Sequence, residues 1–266
     1  MRSNLYLSVL ILLSVTTMSA KGDNFVCDSI CYKILPGGKH VRIVYCNKKD
    51  ATISIPDSVK HEGKTFIIAG IDSWAFDNSA NVKHILFPAT CLNIGNGISR
   101  YCPMLEKITV APDNPAYKDT DGVLFSKTGD DLICFPRNKS DKTYSIPQGT
   151  KKICDSAFSE CKNLEKVDMP QSVCSIGNSA FIGCPKLQSV NIPPSVRRIP
   201  NFAFYNCLRL HAILALNPNM EYIGELAFSQ SVLKEAHVLI PKQAMEAFRK
   251  NIYWNRFAHF IIISYH

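Results

Sequence analysis

A short cluster that ends in Ala-Phe recurs along this chain at a nearly fixed interval, and this recurrence constrains the fold more than any other feature. The interval between successive clusters varies by only one residue. Self-similarity with a period of about 20–50 residues is typical of solenoids, propellers and other repeat architectures. A unit this short cannot bury its own apolar face, so neighbouring copies must stack to form a core. The four copies are Ile153–Phe158, Ile176–Phe181, Ile199–Phe204 and Ile223–Phe228.

Each cluster is followed by a segment that alternates apolar and polar residues, as in Leu164–Pro170 and Leu187–Pro193. The alternation of Val167 and Met169 predicts a strand with one buried face, and the proline that follows ends the pairing. A second short apolar segment, 172–176, is expected to run back on the opposite side of the coil. The Ala-Phe cluster is interpreted as a short helical or 3₁₀ turn whose phenylalanine fills the interior.

These patterns predict a mainly β protein with short helices, built as a right-handed solenoid of parallel strands with coils of about 23 residues. Two earlier coils are weaker copies of the same pattern. Ile71–Phe76 keeps the cluster and Val82–Pro88 keeps the strand, but Ser79 stands where later coils have cysteine. The next coil begins at Ile94 and has Ser99 where phenylalanine is expected.

The regular spacing is interrupted between Cys102 and Cys161, which are 59 residues apart. Residues 113–147 are predicted to be an irregular hairpin insertion. Within it, Val123–Ser126 and Asp131–Phe135 lie on either side of a turn at Gly129 and are expected to pair as a β-hairpin. We expect this segment to project from one edge of the stack.

The first twenty residues have the layout of a secretory signal peptide. Arg2 supplies the positive charge, Leu5–Val15 the apolar stretch, and small residues precede a cleavage site after Ala20. The apolar stretch is too short for a transmembrane helix. We therefore expect a secreted or cell-surface protein with no membrane span in the mature chain, with an uncleaved anchor as the alternative.

The two ends of the repeat region need structures that cover the core. Residues 21–70 contain alternating apolar runs and are predicted to form an N-terminal β cap, and the solenoid is predicted over 71–245. The remaining segment, 246–266, is predicted to be a C-terminal cap. It combines the end of a helix over Pro241–Lys250 with a closing strand at Phe260–Ile263.

Eleven cysteines in an exported chain ordinarily suggest a disulfide framework. Here Cys161, Cys184 and Cys207 recur at the interval of the repeat, and Cys102 occupies the matching position of an earlier coil. Cysteines held at one phase of a solenoid are predicted to be free, buried thiols. Cys27, Cys31 and Cys46 lie outside the repeat, where one disulfide is more plausible than in the column, and the sequence leaves their disulfide status open.

The formal net charge is +8, but the basic residues occur in scattered pairs rather than in one tract. Nucleic-acid binding is not expected from such a pattern. The sequence also has no metal-binding, phosphate-binding or nucleophile motif of the known kinds. We therefore predict no enzymatic activity, no catalytic residues, no cofactor and no metal site.

The repeat resembles that of a known family. Residues 176–196 follow the pattern Ile-Gly-x-x-Ala-Phe-x-x-Cys-x-x-Leu-x-x-Val-x-Ile-Pro-x-Ser-Val, which is similar to the BspA-like leucine-rich repeat of bacterial surface and secreted proteins. Ser99, Ser79 and Leu214–Pro218 depart from this pattern. The resemblance implies binding of proteins or extracellular matrix components at a cell surface, without catalytic residues.

The strand alternation predicts which residues face outward from the sheet. We expect them to form a concave binding face for a non-catalytic adhesion module, although a sheet face without a ligand is an open alternative. A second alternative is a glycan-binding accessory protein of a surface uptake system, which requires exposed aromatic residues on one platform. The predicted face residues are His84, Leu86, Lys107, Thr109, Lys166, Asp168, Ser189, Asn191, Ala212, Leu214, His237 and Leu239.

Overall fold

The structure is a computed structural model that describes residues 23–77 and 79–263. The predicted signal peptide over 1–20 lies outside the described residues. Within them the chain is a β-solenoid in which each coil corresponds to one sequence repeat, as the pattern predicts. Two short α-helices and two single-turn 3₁₀ segments are present in the described part of the chain.

The strands are short and follow one another along the whole of the described chain. In chain order they are β1 (Asn24–Cys27), β2 (Ile30–Ile34), β3 (His40–Cys46), β4 (Thr52–Ser54), β5 (Ser58–His61), β6 (Lys64–Ile71), β7 (His84–Phe87), β8 (Asn93–Ile94), β9 (Lys107–Val110), β10 (Tyr117–Thr120), β11 (Val123–Ser126), β12 (Asp131–Cys134), β13 (Thr143–Ser145), β14 (Lys152–Ile153), β15 (Lys166–Asp168), β16 (Ser175–Ile176), β17 (Ser189–Ile192), β18 (Arg198–Ile199), β19 (Ala212–Ala215), β20 (Tyr222–Ile223), β21 (His237–Pro241) and β22 (His259–Ile263). The helices are α1 (Gln230–Glu235) and α2 (Met245–Lys250), and the 3₁₀ segments are Lys242–Ala244 and Trp254–Arg256.

Six strands form one parallel sheet in the order β13-β15-β17-β19-β21-β22. Lys166 lies opposite Ser189, and Ser189 lies opposite Ala212, so neighbouring strands are offset by one repeat period. Val167 and Val190, which point to the other side, are buried. The second apolar segment of each coil forms shorter parallel ladders, β12-β14-β16 and β18-β20. The predicted strands and their alternation are therefore confirmed.

The phenylalanines of the Ala-Phe clusters stack into one aromatic spine inside the solenoid. Phe135, Phe158, Phe181, Phe204 and Phe228 follow each other with ring centroids 4.7 to 5.2 Å apart. All five rings are essentially inaccessible to solvent. Each ring thus contributes apolar burial worth about 1.5–3 kcal/mol and also supports its neighbours.

The sequence suggests a short helical or 3₁₀ turn for each cluster, and the structure shows turns with the i to i+3 hydrogen bonds of a 3₁₀ turn but no continuous helix. Ala157 N–H donates to the Cys154 carbonyl at 3.2 Å, and Ser159 N–H donates to the Ser156 carbonyl at 3.1 Å, so the cluster consists of two overlapping turns. Ser156 belongs to both turns and lies in the left-handed region, at φ 58°. A residue with positive φ cannot continue a right-handed helix, which is why no helix propagates here.

Residues 113–147 pack into the stack, and the prediction that they project from it is wrong for most of their length. The hairpin of β11 and β12 is present as predicted, with Gly129 in its turn at φ 86°. However, Phe125 and Phe135 are buried, and Phe135 stacks on Phe158 at 5.1 Å. In addition, β12 pairs with β14 and β13 pairs with β15, so the segment supplies a coil of its own.

At the ends of the solenoid the regular coils give way to other structures. Strands β1, β2 and β3 pair antiparallel, and β3 continues into the repeat by pairing parallel with β6. At the other end, Phe248 and Trp254 are fully buried beneath the closing strand β22. The domain boundaries at 70 and 245 stay predictions. None of the helices in the described residues is long and apolar enough to cross a bilayer.

Candidate functional site

The outward face of the six-stranded sheet consists of two parallel columns of side chains. The first outer column is Thr143, Lys166, Ser189, Ala212, His237 and His259. The second outer column is Ser145, Asp168, Asn191, Leu214, Leu239 and Ile261. Every member of both columns is partly or fully accessible, whereas the strand residues between them are buried, except Phe260 on β22, which is partly buried. The predicted orientation of these side chains is confirmed.

The predicted face is divided between two sheets. His84, Leu86, Lys107 and Thr109 lie on the three-stranded sheet β4-β7-β9, which has no ladder to β13. The turn between β10 and β11 lies along the free edge of β9, where the Gly122 carbonyl accepts a hydrogen bond from Ile108 N–H at 3.0 Å. One continuous face through all the predicted residues is therefore wrong: four lie on this sheet and the others on the six-stranded sheet.

Several of the predicted residues bond to neighbouring groups of the same chain. The Asn191 side chain accepts from Met169 N–H and donates to the Met169 carbonyl, both at 2.6 Å. This amide thus completes the hydrogen bonding at the end of β15, and its role is to stabilise the fold. Lys166 and Asp168 pair with each other at 3.0 Å on the surface. They remain available to a partner, because exposed ion pairs are weak.

On the smaller sheet, His84 shares a hydrogen bond of 2.9 Å with the Thr109 hydroxyl. Burial, assisted by the nearby charge of Lys107, lowers the pKa of His84. The imidazole is therefore neutral at physiological pH. This part of the face offers a small, internally bonded polar surface.

The C-terminal part of the six-stranded sheet is its most apolar region. Leu214, Leu239 and Ile261 lie side by side on adjacent strands, and Ile261 is 43% exposed. Beside them the imidazoles of His237 and His259 stack with centroids 5.4 Å apart. Sequence reasoning missed His259 and Ile261, although the closing strand was predicted, because its register against β21 was not assigned.

The cysteine column does more than fill space. The Cys184 thiol lies 3.0 Å from the Phe158 carbonyl of the preceding coil, and the Cys207 thiol lies 2.9 Å from the Phe181 carbonyl. Ser79, which replaces cysteine in the first coil, likewise directs its hydroxyl to a carbonyl of the preceding strand. The column therefore joins adjacent coils through side-chain donors, which explains why a serine can replace a cysteine there.

All eleven cysteines lie within the described residues, and each is a free thiol. Free thiols were predicted for the column, and Cys27, Cys31 and Cys46, whose disulfide status the sequence leaves open, form no disulfide. Burial raises the pKa of the Cys102 thiol to about 12. It also raises the pKa of the Cys184 thiol well above its usual value. Such thiols stay protonated and are poor nucleophiles and metal ligands.

No group of three or more His, Cys, Asp or Glu side chains in the described ranges is arranged to hold a metal ion. The exposed aromatic residues of the repeat lie on the turns between strands. Trp74, Tyr101, Phe202 and Tyr205 are between 37% and 50% exposed. Sequence reasoning missed these residues because it searched the strands for a platform; the variable position before each Ala-Phe was the available signal.

Comparison with known proteins identifies the repeat. A family model described as BspA type Leucine rich repeat region matches residues 67–128 and 133–257 in six copies. A comparison with curated proteins finds no match.

Three solved structures of bacterial repeat proteins are similar in fold. A leucine rich cell surface protein from Faecalibacterium prausnitzii A2-165 is 18% identical with a TM-score of 0.54, and the match covers 93% of this chain and 97% of that one. A leucine-rich repeat protein from Eubacterium ventriosum ATCC 27560 is 18% identical with a TM-score of 0.59, over 85% and 80% of the two chains. Another, from Bacteroides ovatus ATCC 8483, is 22% identical with a TM-score of 0.52, over 82% and 59%. At these identities the likeness shows the fold alone.

Proposed function

Because the chain belongs to the BspA-type leucine-rich repeat family, we propose that it is a non-catalytic binding module that contacts a protein partner through its six-stranded sheet. The partner is expected to be an extracellular matrix component or a surface protein of another cell. Export by the predicted signal peptide, with cleavage after Ala20, places the module outside the cell or on its surface. One of the proteins with a similar fold is itself a cell surface protein.

The observation that supports this proposal is the apolar patch of Leu214, Leu239 and Ile261 on the second outer column. The patch is continuous across three adjacent strands and is bordered by polar side chains, including Asn191 and His237. An apolar centre with a polar rim is the usual composition of a protein–protein interface. The parallel backbone holds the patch rigidly, so little conformational entropy is lost on binding.

The alternative of a glycan-binding accessory protein finds no support on the six-stranded sheet. Carbohydrate recognition by stacking needs exposed aromatic rings, and neither outer column contains Phe, Tyr or Trp. The sheet face is therefore assigned to a protein partner.

The proposal is tested by measuring the binding of the purified protein to immobilised matrix proteins and mucins by biolayer interferometry. We expect Leu239→Asp to weaken binding by about tenfold or more, because a charge then lies at the centre of a desolvated patch. Leu208→Asp is the matched control, since Leu208 is 64% exposed and lies outside both outer columns. Absence of binding to every member of the panel, or equal affinity of the two variants, would contradict the proposal.

A further inference from the structure

The turns between strands form a second surface, which we call the turn row. Its members occupy the position before Ala-Phe, or the matching position, in successive coils: Trp74, Gly97, Ser156, Ser179, Phe202 and Leu226. Adjacent members are in contact or joined through the backbone of the neighbouring coil. A Cβ added to Gly97 would lie 2.8 Å from the Trp74 indole and 3.8 Å from the Ser156 Cβ. Phe202 N–H donates to the Leu226 carbonyl at 3.1 Å.

The backbone of the turn row disfavours the aromatic residues that it contains. Trp74 and Phe202 have φ angles of 63° and 62°, in the left-handed region. Gly97, Ser156 and Ser179 have the same conformation, between 54° and 64°. Glycine and small polar residues suit this region, whereas bulky side chains with a positive φ are true outliers. Strain that persists at an exposed position indicates a function for the side chain.

Two groups of exposed aromatic side chains lie along the turn row, and we call them aromatic stations. The first is centred on Trp74. The Arg100 guanidinium lies 5.6 Å from the Trp74 ring centroid and 5.0 Å from the Tyr101 ring centroid, so it stacks with both rings. It also donates to the Tyr101 hydroxyl at 3.2 Å. Gly97 leaves room for the indole to lie against the backbone of the next coil, since any Cβ there would collide with it. The result is a half-exposed aromatic cluster with the Arg100 guanidinium, a hydrogen-bond donor, over its rings.

The second aromatic station is centred on Phe202. Its ring meets the Tyr205 ring edge to face, with centroids 5.7 Å apart and an interplanar angle of 88°. Leu226, the next member of the turn row, extends the apolar surface and is 44% exposed. The Tyr205 ring also borders a shallow groove lined by Glu160 and Asn206.

The surface between the two stations is small and polar. Ser156 and Ser179 occupy the turn row there, and Glu160 and Gly183 occupy the parallel position before the cysteine. The stations are four to five coil spacings apart, roughly 20–25 Å at about 4.8 Å per coil. A protein–protein interface needs one continuous, desolvated centre, which this arrangement of separated stations does not provide.

We propose that the turn row binds a linear, uncharged polysaccharide that lies across both stations. The C–H groups of a sugar ring carry partial positive charge and pack on the negative face of an aromatic ring. The hydroxyl groups of the sugars between the two stations can form hydrogen bonds with Ser156 and Ser179. None of the six members of the turn row has an ionisable side chain, which suits an uncharged ligand better than an anionic one.

The proposal is independent of the function assigned to the sheet, because it uses other residues on another surface. Its test is affinity gel electrophoresis of the purified protein in gels containing soluble amylose, laminarin, galactomannan or xyloglucan. We expect at least one of these polymers to retard the protein. We expect Trp74→Ser or Phe202→Ser to weaken that retardation by about tenfold or more, as for the loss of one anchor residue. The double variant is expected to abolish it.

Serine is the natural control residue, because Ser156 and Ser179 already occupy the same backbone conformation in other coils. We therefore expect Trp74→Ser to leave the unfolding midpoint unchanged or higher, so that any loss of binding is not a loss of folding. The sheet variant Leu239→Asp is expected to retain normal retardation. The proposal is overturned if no neutral polymer retards the protein, or if the double variant is retarded as strongly as the unmodified chain.

Discussion

The aromatic spine makes a quantitative prediction at its centre. Phe181 is fully buried and lies between Phe158 at 4.7 Å and Phe204 at 4.9 Å, with ring planes within 10° of each other. Truncation of a buried phenylalanine to alanine costs about 3–5 kcal/mol through lost transfer energy and the remaining cavity. Here two stacking contacts, each worth about 0.5–1.5 kcal/mol, are lost together. Since the measured cost of such truncations already contains the lost contacts, the two stacked neighbours place Phe181→Ala in the upper part of that range, and we expect it to lower the free energy of unfolding by about 4–5 kcal/mol.

Urea denaturation followed by tryptophan fluorescence measures this change. Trp254 is buried near the end of the spine and reports the unfolding of the core. With a urea m value of about 2.5 kcal/mol/M, the expected loss lowers the midpoint by roughly 1.5–2 M. A repeat protein can also lose cooperativity when a central interface is weakened. A fall in the m value of Phe181→Ala, with a second transition, would report that uncoupling.

The matched control is Phe202→Ala, which removes the same side chain from the neighbouring coil at a position that is 37% exposed. Because Phe202 also has a positive φ, its loss relieves strain as well as contacts, and we expect a change of less than about 0.5 kcal/mol. Equal midpoints for Phe181→Ala and Phe202→Ala would refute the stacked-spine reasoning, since the two positions differ chiefly in burial and stacking.

Three further predictions follow from contacts elsewhere in the solenoid. Cys184→Ala removes the donor to the Phe158 carbonyl and is expected to cost about 1–2 kcal/mol in urea unfolding, whereas Cys184→Ser is expected to recover part of this loss; equal losses would show that the donor is unimportant. Gly177→Ala places a Cβ 2.5 Å from the Asp155 backbone nitrogen. We expect it to cost about 1–3 kcal/mol in the same assay, and a neutral effect would contradict the close approach of the coils. Burial raises the pKa of Asp77 to about 6, so the folded state favours the protonated acid. Stability should fall as the pH rises from about 4 through 6, and Asp77→Asn should remove this dependence in thermal melts; an equal pH dependence of the variant would contradict the assignment.

The repeat could be predicted from the sequence because one interval fixes several structural features at once. The same spacing brings Val167 beside Val190 and Phe158 beside Phe181, so strand register and core packing follow from a single property of the sequence. The family resemblance rests on the same residues. The orientation of the outer columns could also be predicted from the sequence, since alternation along a strand determines which side chains face outward.

The inserted segment was expected to be an irregular, projecting coil rather than a packed one, because its cluster is shorter than the others. Leu132 lies opposite Ile153, and Phe135 stacks on Phe158, so these residues occupy the two reference positions of the repeat. They are three residues apart, whereas Ile153 and Phe158 are five apart. A search for a fixed pattern misses this coil, although the packing around the spine is kept.

The candidate site was harder to predict than the fold. The positions of side chains on the six-stranded sheet and on the turn row are determined by different features of the chain. The outward residues of the sheet lie on regular strands, so the alternation of apolar and polar residues in the sequence locates them. The turn row, apart from Leu226, has a left-handed backbone, which one sequence does not reveal. The serines at 156 and 179 are compatible with many turns, and only the φ angles show that Trp74 and Phe202 share their conformation.

This difference between the two surfaces has a consequence for how the protein can vary. Residues facing the interior are constrained by the aromatic spine and the cysteine donors, and the outer columns must keep the strands paired. A turn-row residue, in contrast, meets the core only through its backbone. Exchanging Ser179 for an aromatic residue would therefore move a binding station along the row without disturbing the core, at the cost of the strain that a bulky side chain with a positive φ carries. The turn row is the part of this fold where ligand preference can change while the solenoid stays the same.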